Sequence, residues 1–353
     1  MGDNKSLWRR IRIVPGIFII LAMLGLVGGE IFSRVYFGLG DPPLSVSDPE
    51  IEYLFKPGTY HRFGLVIHYN QFSQRSREIS RKKTDLNEFR ALFMGDSVLN
   101  GGVLTDDRDL ATTLVESRLA MQMQRPVFIA NVSAGSWGPP NAAAYLEKFG
   151  DFDADAIVLV FPSGDGYDAR TFQAVVGSAS FPDRKPSSAM WEGLTRYTPL
   201  SKWVGSAVGP DFRLPAGAVQ HDLTIEQQAE DVTRGITSIS NHAKARGIPL
   251  LLVVWHFVTE INGPLNPSLP VLIGSAQANN IPLLDLLADQ QAAISAGRDI
   301  FRPGDVIHPN EAGQKLIADA ILPVLESLIL SPAKKNFDEV KENETQALPV
   351  NNE

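Results

Sequence analysis

Two short segments of the sequence carry the side-chain types that a serine-based acyl-transfer site needs. The chain reads Gly-Asp-Ser at residues 95–97 and, much later, Asp-Val-Ile-His at residues 305–308. A serine hydroxyl is a poor nucleophile at neutral pH and needs an adjacent base, most often an imidazole. A carboxylate three residues before the histidine can bond the ring Nδ1 atom and leave the other nitrogen free for the serine. Together the segments predict a triad of Ser97, His308 and Asp305.

Each segment alone also fits a purely structural interpretation. Serine and glycine are ordinary turn residues, so a single Gly-Asp-Ser tripeptide is weak. The later segment also fits a capped loop, because Pro309 favours an extended backbone before it and Asn310 can cap a helix that begins near Glu311. Of the six histidines, however, only His308 combines an acid at this spacing with a place in the last βα segment. His256 ends a predicted strand and is interpreted as a packed side chain.

The elements that must position these residues follow a β/α rhythm from residue 88. Continuous apolar runs predict strands at Phe89–Met94, Pro126–Val132, Ala156–Phe161, Pro249–Trp255 and Ile281–Leu286. Helical spacing predicts helices at Leu110–Met123, Ala142–Phe149, Thr224–Ala245, Val271–Ala278 and Glu311–Leu330. Apolar strands separated by helices predict a doubly wound α/β sandwich with a parallel sheet covered on both faces. Ligands of such folds bind beyond the carboxyl ends of the strands, where Ser97 is expected.

The two segments, in this order, resemble the first and fifth sequence blocks of the SGNH (GDSL) hydrolase superfamily. The resemblance covers about residues 88–330 and implies a flavodoxin-like three-layer α/β/α sandwich. Members of that family cleave ester bonds of lipids or glycans, and some transfer acyl groups instead. The G-x-S-x-G elbow of the α/β-hydrolases is absent around Ser97, which favours the SGNH family. The resemblance implies Ser97 as nucleophile, His308 as base and Asp305 as its orienting partner, and it implies no metal or organic cofactor.

The middle blocks of the family fit this sequence less closely. Residues 131–135 resemble the block whose glycine N–H enters the oxyanion hole, and we carry that role to Gly135, beside the N–H of Ser97. A plain glycine turn is the alternative interpretation, and Gly138 is a rival. The family's third block carries an asparagine donor, but this chain reads Pro-Ser-Gly-Asp-Gly at 162–166.

Depending on the register, either Gly164 or Asp165 falls at the place of that asparagine. An ionised aspartate only accepts hydrogen bonds and would repel an oxyanion. We therefore expect the oxyanion hole to lack its side-chain donor.

The N-terminus predicts a membrane anchor. Residues 13–29 carry no charged side chain and would form a helix of roughly 25 Å, near the short limit for crossing a bilayer. Four basic residues precede this run: Lys5, Arg9, Arg10 and Arg12. The positive-inside rule then places residues 1–12 in the cytoplasm and the catalytic part on the outer side. A cleaved signal peptide is the alternative, but the absence of an A-x-A site favours an uncleaved single-pass anchor.

The remaining segments are predicted as connections. Residues 30–87 form a connecting region with short strands, including a strand or hairpin at Tyr60–Tyr69. A basic stretch there is interpreted as a solvated loop or as a contact for anionic headgroups or an acidic glycan: Arg75, Arg77, Arg81, Lys82 and Lys83. An insertion at 165–223 is either a substrate loop or a small packed excursion, and it contains Phe172, Phe181, Trp191, Tyr197, Trp203 and Phe212. Residues 331–353 are polar and are predicted to form a disordered tail.

Composition narrows the function further. The net charge of −8 argues against a nucleic-acid partner, and the absence of cysteine excludes disulfides and thiolate metal sites. The resemblance to the SGNH family and the predicted export together imply an exported, membrane-anchored ester hydrolase that acts on an acylated polysaccharide or lipid. One alternative is an O-acyltransferase that uses the same acyl-enzyme. Another is a non-catalytic glycan-binding or assembly protein on this fold, which the missing asparagine favours.

Overall fold

The chain begins with one long apolar helix. The computed structural model describes residues 4–172, 176–178, 180–197 and 222–330, so Trp203, Phe212 and the predicted tail lie outside the described residues. Helix α1 (Asn4–Phe37) contains an apolar segment, Gly16–Phe37, in which an 18-residue stretch has a mean hydropathy of 2.1 and no buried residue. This segment is long and apolar enough for a membrane span, and a signal sequence has the same character. It continues past the predicted end at residue 29.

Two antiparallel hairpins follow α1. Strand β1 (Ser45–Asp48) pairs with β2 (Glu52–Phe55). Strand β3 (Gly58–Arg62) pairs with β4 (Leu65–Tyr69), which confirms the hairpin predicted for this part of the chain. The connecting region is therefore ordered structure with its own strand pairing.

The centre of the fold is a five-stranded parallel sheet. Its strands are β5 (Phe89–Gly95), β6 (Val127–Ser133), β7 (Ala156–Pro162), β8 (Leu250–Trp255) and β9 (Leu283–Asp285). They lie in the order β6-β5-β7-β8-β9, so the first strand of the sheet lies between the second and the third. This is the order of flavodoxin-like sheets, and it confirms the predicted fold class.

Helices cover both faces of the sheet. In chain order they are α2 (Ser97–Asn100), α3 (Ala111–Met123), α4 (Pro139–Phe149), α5 (Ala189–Arg196), α6 (Ile225–Arg246), α7 (Leu269–Ala278), α8 (Leu287–Ser295) and α9 (Glu311–Leu330). One core cluster joins the sheet to α4, α6 and α7, and includes Tyr145, Ile236 and Leu272. The other joins it to α3, α8 and α9 through residues such as Val115 and Ile321. The predicted three layers are therefore present, and α2, α5 and α8 are additions that the sequence patterns did not indicate.

Arg75 has a structural role within the basic stretch of the connecting region, while Arg77, Arg81 and Lys82 are exposed. Arg75 is buried, and its guanidinium donates to the backbone carbonyls of Asn100 and Gly102. The guanidinium of Arg77 lies 4.4 Å from the centre of the Phe128 ring. Both predicted interpretations, a solvated loop and a contact for anions, are therefore wrong for Arg75, because its charge is already used to bind the backbone that follows α2.

Candidate active site

Ser97 stands at the carboxyl end of β5, between two neighbouring strands. Gly95 ends the strand, and a Cβ atom there would lie 2.3 Å from the carbonyl oxygen of Val160 on β7. Only glycine permits this approach of the two strands. Asp96 caps α2, since its Oδ1 atom accepts the N–H of Val98 at 2.8 Å. The resulting strand–turn–helix leaves Ser97 partly exposed at the sheet edge where ligands of this fold class bind.

Ser97, His308 and Asp305 lie in one hydrogen-bonded row. The Oγ atom of Ser97 is 3.0 Å from His308 Nε2, and His308 Nδ1 is 2.7 Å from Asp305 Oδ2. The other oxygen of Asp305 accepts the backbone N–H groups of Ile307 and His308, at 2.9 and 3.0 Å. A carboxylate beside Nδ1 keeps the proton on that nitrogen, so Nε2 faces the serine as an acceptor.

Asp305 has the charge that this arrangement needs. Burial raises its pKa, but the hydrogen bonds from the backbone and ring of His308 and from the backbone of Ile307 outweigh burial and hold the pKa below its usual value. The carboxylate is therefore ionised at neutral pH and can stabilise a positive charge on the imidazole.

The loop that carries His308 is bonded to the turn that carries the serine. The backbone N–H of Arg302 donates to the carbonyl of His308 at 3.0 Å, and the Arg302 guanidinium donates to the carbonyl of Gly101 at 2.5 Å. From α9, the side-chain amide of Gln314 donates to the carbonyl of Val98 at 2.7 Å. These bonds fix the distance between two segments that are far apart in the sequence.

Of the two candidate oxyanion glycines, Gly135 is the one beside the serine. Gly135 lines the same cavity as Ser97, and its carbonyl accepts a hydrogen bond from the hydroxyl of Tyr53. Gly138 instead starts α4, and its N–H already donates to the side chain of Asn141 at 3.0 Å. An N–H with a partner is not available to an oxyanion.

Gly164 and Asp165 have different surroundings. A Cβ atom at Gly164 would lie 2.9 Å from the ring of Phe257, so an asparagine at this position would require that ring to shift. Asp165 is buried, and its Oδ2 atom has no hydrogen-bond partner among the described residues. Burial and the nearby charges of Asp96 and Asp168 raise the pKa of Asp165 well above its usual value. A neutral carboxyl can donate a hydrogen bond, unlike the ionised aspartate that the sequence suggested.

Two further acids lie close to the serine. Burial raises the pKa of Asp96 to about 7. Burial, together with the carboxyls of Glu52 and Asp96, raises the pKa of Asp168 to about 8. Within the described residues, these acids and the histidines form no group of three or more that is arranged to hold a metal ion. Asp96, Asp165 and Asp168 thus resist ionisation mainly because they are buried, and for Asp165 and Asp168 the neighbouring carboxyls add to the effect.

A cleft of about 490 Å³ opens beside Ser97. Its walls come from the turn after α1, the two hairpins, the turn after β6 and the α5 region. The residues that line it are Pro42, Pro43, Phe55, Tyr69, Ser97, Asn100, Gly102, Val103, Gly135, Ser180, Phe181, Thr195, Arg196 and Tyr197. A larger groove of about 870 Å³ lies between α6 and α7 and contains none of the predicted site residues. The smaller cleft is therefore the candidate substrate site.

Asn100 is a site residue that sequence reasoning missed. Its side-chain amide donates to the carbonyl of Ser133 at 2.7 Å, and its Oδ1 atom accepts the hydroxyl of Tyr69 at 3.0 Å. These bonds tie the end of β6 and a hairpin to α2. Asn100 follows Ser97 by three residues, and residues at this spacing share one face of a helix, which is the signal that was available.

His256 is more than the packed side chain predicted from the sequence. It is fully buried, and its Nε2 atom is 2.8 Å from Asp285 Oδ1, while its Nδ1 atom is 3.4 Å from Glu260 Oε1. Burial lowers the pKa of His256, but the two carboxylates outweigh it and raise the pKa above its usual value. Because Glu260 also accepts the hydroxyl of Ser163, this group ties β8 to the turn after β7.

No family model matches the chain, and no curated protein matches it. Solved structures of similar fold include an acetyl xylan esterase, AlAXEase, which is 15% identical over 67% of this chain and 99% of that chain, with a TM-score of 0.42. A member of the lipolytic protein G-D-S-L family from Veillonella parvula is 14% identical over 68% of this chain and 100% of that chain, with a TM-score of 0.41. A two-domain esterase active on acetylated mannans is 16% identical over 69% of this chain and 50% of that chain, with a TM-score of 0.42. At these identities and scores the likeness does not carry an activity to this chain.

Proposed function

We propose that this chain is a serine ester hydrolase of the SGNH type, anchored in a membrane by α1 with its catalytic part on the outer side. The row of contacts from Asp305 through His308 to Ser97 carries the proposal, because a serine hydroxyl needs such a base to become a nucleophile. The serine follows the first strand of the sheet and the Asp–His pair precedes the last helix, as in the first and fifth blocks of that family. The basic residues in the first turns of α1, which precede its apolar segment, support export.

The reaction proceeds through an acyl-enzyme. Ser97 Oγ attacks the ester carbonyl while His308 Nε2 takes its proton, and Asp305 stabilises the imidazolium that forms. The imidazolium then gives its proton to the leaving alcohol, and the acyl group remains on Ser97. A water molecule activated by the same nitrogen releases the acid.

The proposed oxyanion hole consists of the N–H groups of Ser97 and Gly135 and a third donor from the turn after β7. Of the two register alternatives, we assign the side-chain role to Asp165, because the ring of Phe257 occupies the space at Gly164. A neutral aspartic acid replaces the family's asparagine as a donor, since its raised pKa keeps the proton on the carboxyl.

We infer an O-acyl group on a polysaccharide or a lipid as the substrate. The cleft volume of about 490 Å³ falls within the range of small-molecule sites, which suits an acyl group and its attachment point but not a whole polymer. The aromatic side chains of Tyr69 and Phe181 line the cleft together with the polar side chain of Asn100. Such a lining suits both sugar faces and acyl chains. Transfer of the acyl group to another hydroxyl would use the same acyl-enzyme.

Labelling with a fluorophosphonate tests the proposal. We expect the full-length chain to be labelled and to cleave p-nitrophenyl acetate, and we expect Ser97→Ala to lose both properties. Labelling without hydrolysis in water, together with transfer of the acetyl group from p-nitrophenyl acetate to a hydroxyl of an added glycan acceptor, would identify a transferase. A Ser97→Ala variant with unchanged labelling and hydrolysis would reject the proposed nucleophile, and a wild-type chain without either would favour the non-catalytic alternative.

A further inference from the structure

Helix α1 is bonded directly to the part of the chain that forms the cleft. The carboxylate of Glu30 accepts the N–H groups of Ala189 and Met190, at 2.9 and 3.0 Å, and the hydroxyl of Ser188 at 2.8 Å. The two N–H groups belong to the first turn of α5, where a helix has no internal partners for them. The anchor helix therefore caps α5 from outside.

A buried ion pair holds α5 at a second place. Glu192 Oε1 lies 2.6 Å from the guanidinium of Arg62, and both side chains are buried. The other oxygen of Glu192 accepts the N–H of Gly40, in the turn directly after α1, at 2.6 Å. The guanidinium of Arg62 also donates to the hydroxyl of Tyr197 at 2.9 Å. Both ends of α5 are thus fixed to the place where the apolar helix ends.

One face of α5 presents large side chains to the outside. Trp191, Leu194 and Tyr197 are 55%, 40% and 41% exposed, and they follow one another at intervals of three residues. This spacing places them on one side of the helix. The last turns of α1 likewise expose Val35 and Tyr36. Tryptophan and tyrosine concentrate at the boundary between membrane and water, and helices that bind a bilayer surface do so through a face of apolar and aromatic side chains.

The same helix forms a wall of the cleft. Thr195 and Arg196 line the cavity that contains Ser97, and so does Pro42 from the turn after α1. The chain from Phe37, where α1 ends, to Pro42 spans at most about 18 Å. The cleft therefore has a wall within about 18 Å of the end of the apolar helix.

We propose that α5 lies on the bilayer surface and that the cleft takes its ester from an amphiphile held in that bilayer. This inference rests on the proposed ester hydrolysis and names its substrate class. The apolar part of the amphiphile stays in the membrane, and its ester group, at the depth of the headgroups, reaches Ser97 past the wall formed by Thr195 and Pro42. A soluble acylated oligosaccharide is the competing substrate class, and it requires no contact between α5 and a membrane.

The placement of α5 is measured without any activity. Because the chain has no cysteine, Thr195→Cys and Asn87→Cys each give one labelling position. Asn87 is exposed and precedes β5, so it lies near the end of this strand opposite to Ser97. The length of β5 separates these two ends by roughly 23 Å. In phosphatidylcholine vesicles that contain brominated lipid, we expect quenching of a fluorophore at position 195 and none at position 87. Equal quenching at both positions, or none at 195, would overturn the placement.

The substrate class is measured with two esters on the full-length chain in phosphatidylcholine vesicles. p-Nitrophenyl palmitate partitions into the vesicles, and p-nitrophenyl acetate stays in water. We expect Trp191→Ser to lower the palmitate-to-acetate ratio of kcat/KM about tenfold, because it removes an interfacial aromatic side chain. Leu86→Ser is the matched control, since Leu86 is 89% exposed and lies before β5, and we expect no change of the ratio.

An unchanged ratio in Trp191→Ser would overturn the amphiphile as substrate. Failure of the wild-type chain to cleave either ester would instead reject the proposed hydrolase, and the quenching measurement would still decide the placement of α5.

Discussion

The hydroxyl of Ser97 lies 3.0 Å from the Oδ2 atom of Asp96, the residue immediately before it in the chain. This equals its distance from His308 Nε2, so the single hydroxyl proton has two acceptors within reach. Burial raises the pKa of Asp96 to about 7, which means that the second acceptor gains its charge near neutral pH.

We expect Asp96→Asn to change the pH dependence of the reaction more than its maximal rate. In the wild type, ionisation of Asp96 above pH about 7 draws the serine proton away from His308 and adds a negative charge near the oxyanion, so the rate falls there. Asparagine caps α2 as well as aspartate does, and it does not titrate. The measurement is the rate of fluorophosphonate labelling from pH about 6 to 9. Identical profiles of variant and wild type would contradict the role given to Asp96.

The three residues of the proposed triad should act as one unit. We expect Ser97→Ala and His308→Ala each to lower kcat for p-nitrophenyl acetate by about 1,000-fold or more, and the double variant to lose little beyond either. Asp305→Asn should lower kcat less than either single variant, because the imidazole of His308 is still present although it is less well oriented. Losses that multiply in the double variant would show that Ser97 and His308 work separately.

The third oxyanion donor is tested at the turn after β7. We expect Asp165→Ala to lower kcat about 100-fold, because it removes one donor, and Asp165→Asn to retain most of the activity, because an amide also donates. Gly164→Asn tests the other alignment with the family's asparagine. We expect it not to raise kcat in the wild type or in Asp165→Ala, since the new side chain meets the ring of Phe257. Full activity in Asp165→Ala would remove this residue from the site.

The buried acids predict that the folded chain is more stable in mild acid than in mild base. Unfolded, Asp96 and Asp168 ionise near their ordinary pKa of 3.8, whereas in the folded chain burial raises these values to about 7 and about 8. Their stabilising contribution is complete below the unfolded pKa and is lost as pH rises through the folded pKa. The raised pKa of His256 acts in the same direction, since its contribution is lost as pH rises through that pKa.

We therefore expect a lower Tm at pH about 8.5 than at pH about 5.5, and a smaller difference in Asp168→Asn, whose amide does not titrate. Thermal unfolding followed by circular dichroism measures both values. A Tm that is higher at pH about 8.5 than at pH about 5.5 would mean that Asp96 and Asp168 ionise in the folded chain with little loss of stability.

The sheet and its main helices could be predicted from the sequence because both signals are local. Buried strands such as Ala156–Pro162 read as continuous apolar runs, and helices such as Ile225–Arg246 show periodicity and a capping threonine. The Gly-Asp-Ser and Asp-x-x-His segments were visible for the same reason. Whether the side chains of these two segments meet depends on the order of the strands in the sheet. The alternation of strands and helices limits the possible orders, but no single residue specifies the order.

The features that were missed depend on partners far away in the chain. Arg75 looked like part of a solvated basic loop, since its partners are backbone carbonyls, which any residue type can supply. His256 looked isolated because Asp285 belongs to another strand. Glu30 lies just beyond the predicted anchor. It caps α5 by accepting backbone N–H groups, which no pattern of side chains in the sequence indicates.

The separation of 211 residues between Ser97 and His308 has a consequence for biosynthesis. At ordinary translation rates, roughly 10–40 s pass between the synthesis of the proposed nucleophile and that of its base. The bond from Gln314 to Val98 forms later still, because α9 follows His308. If the chain is the proposed hydrolase, its serine therefore has no base until His308 has been synthesised, and the loop that carries the base is not held in place until α9 follows.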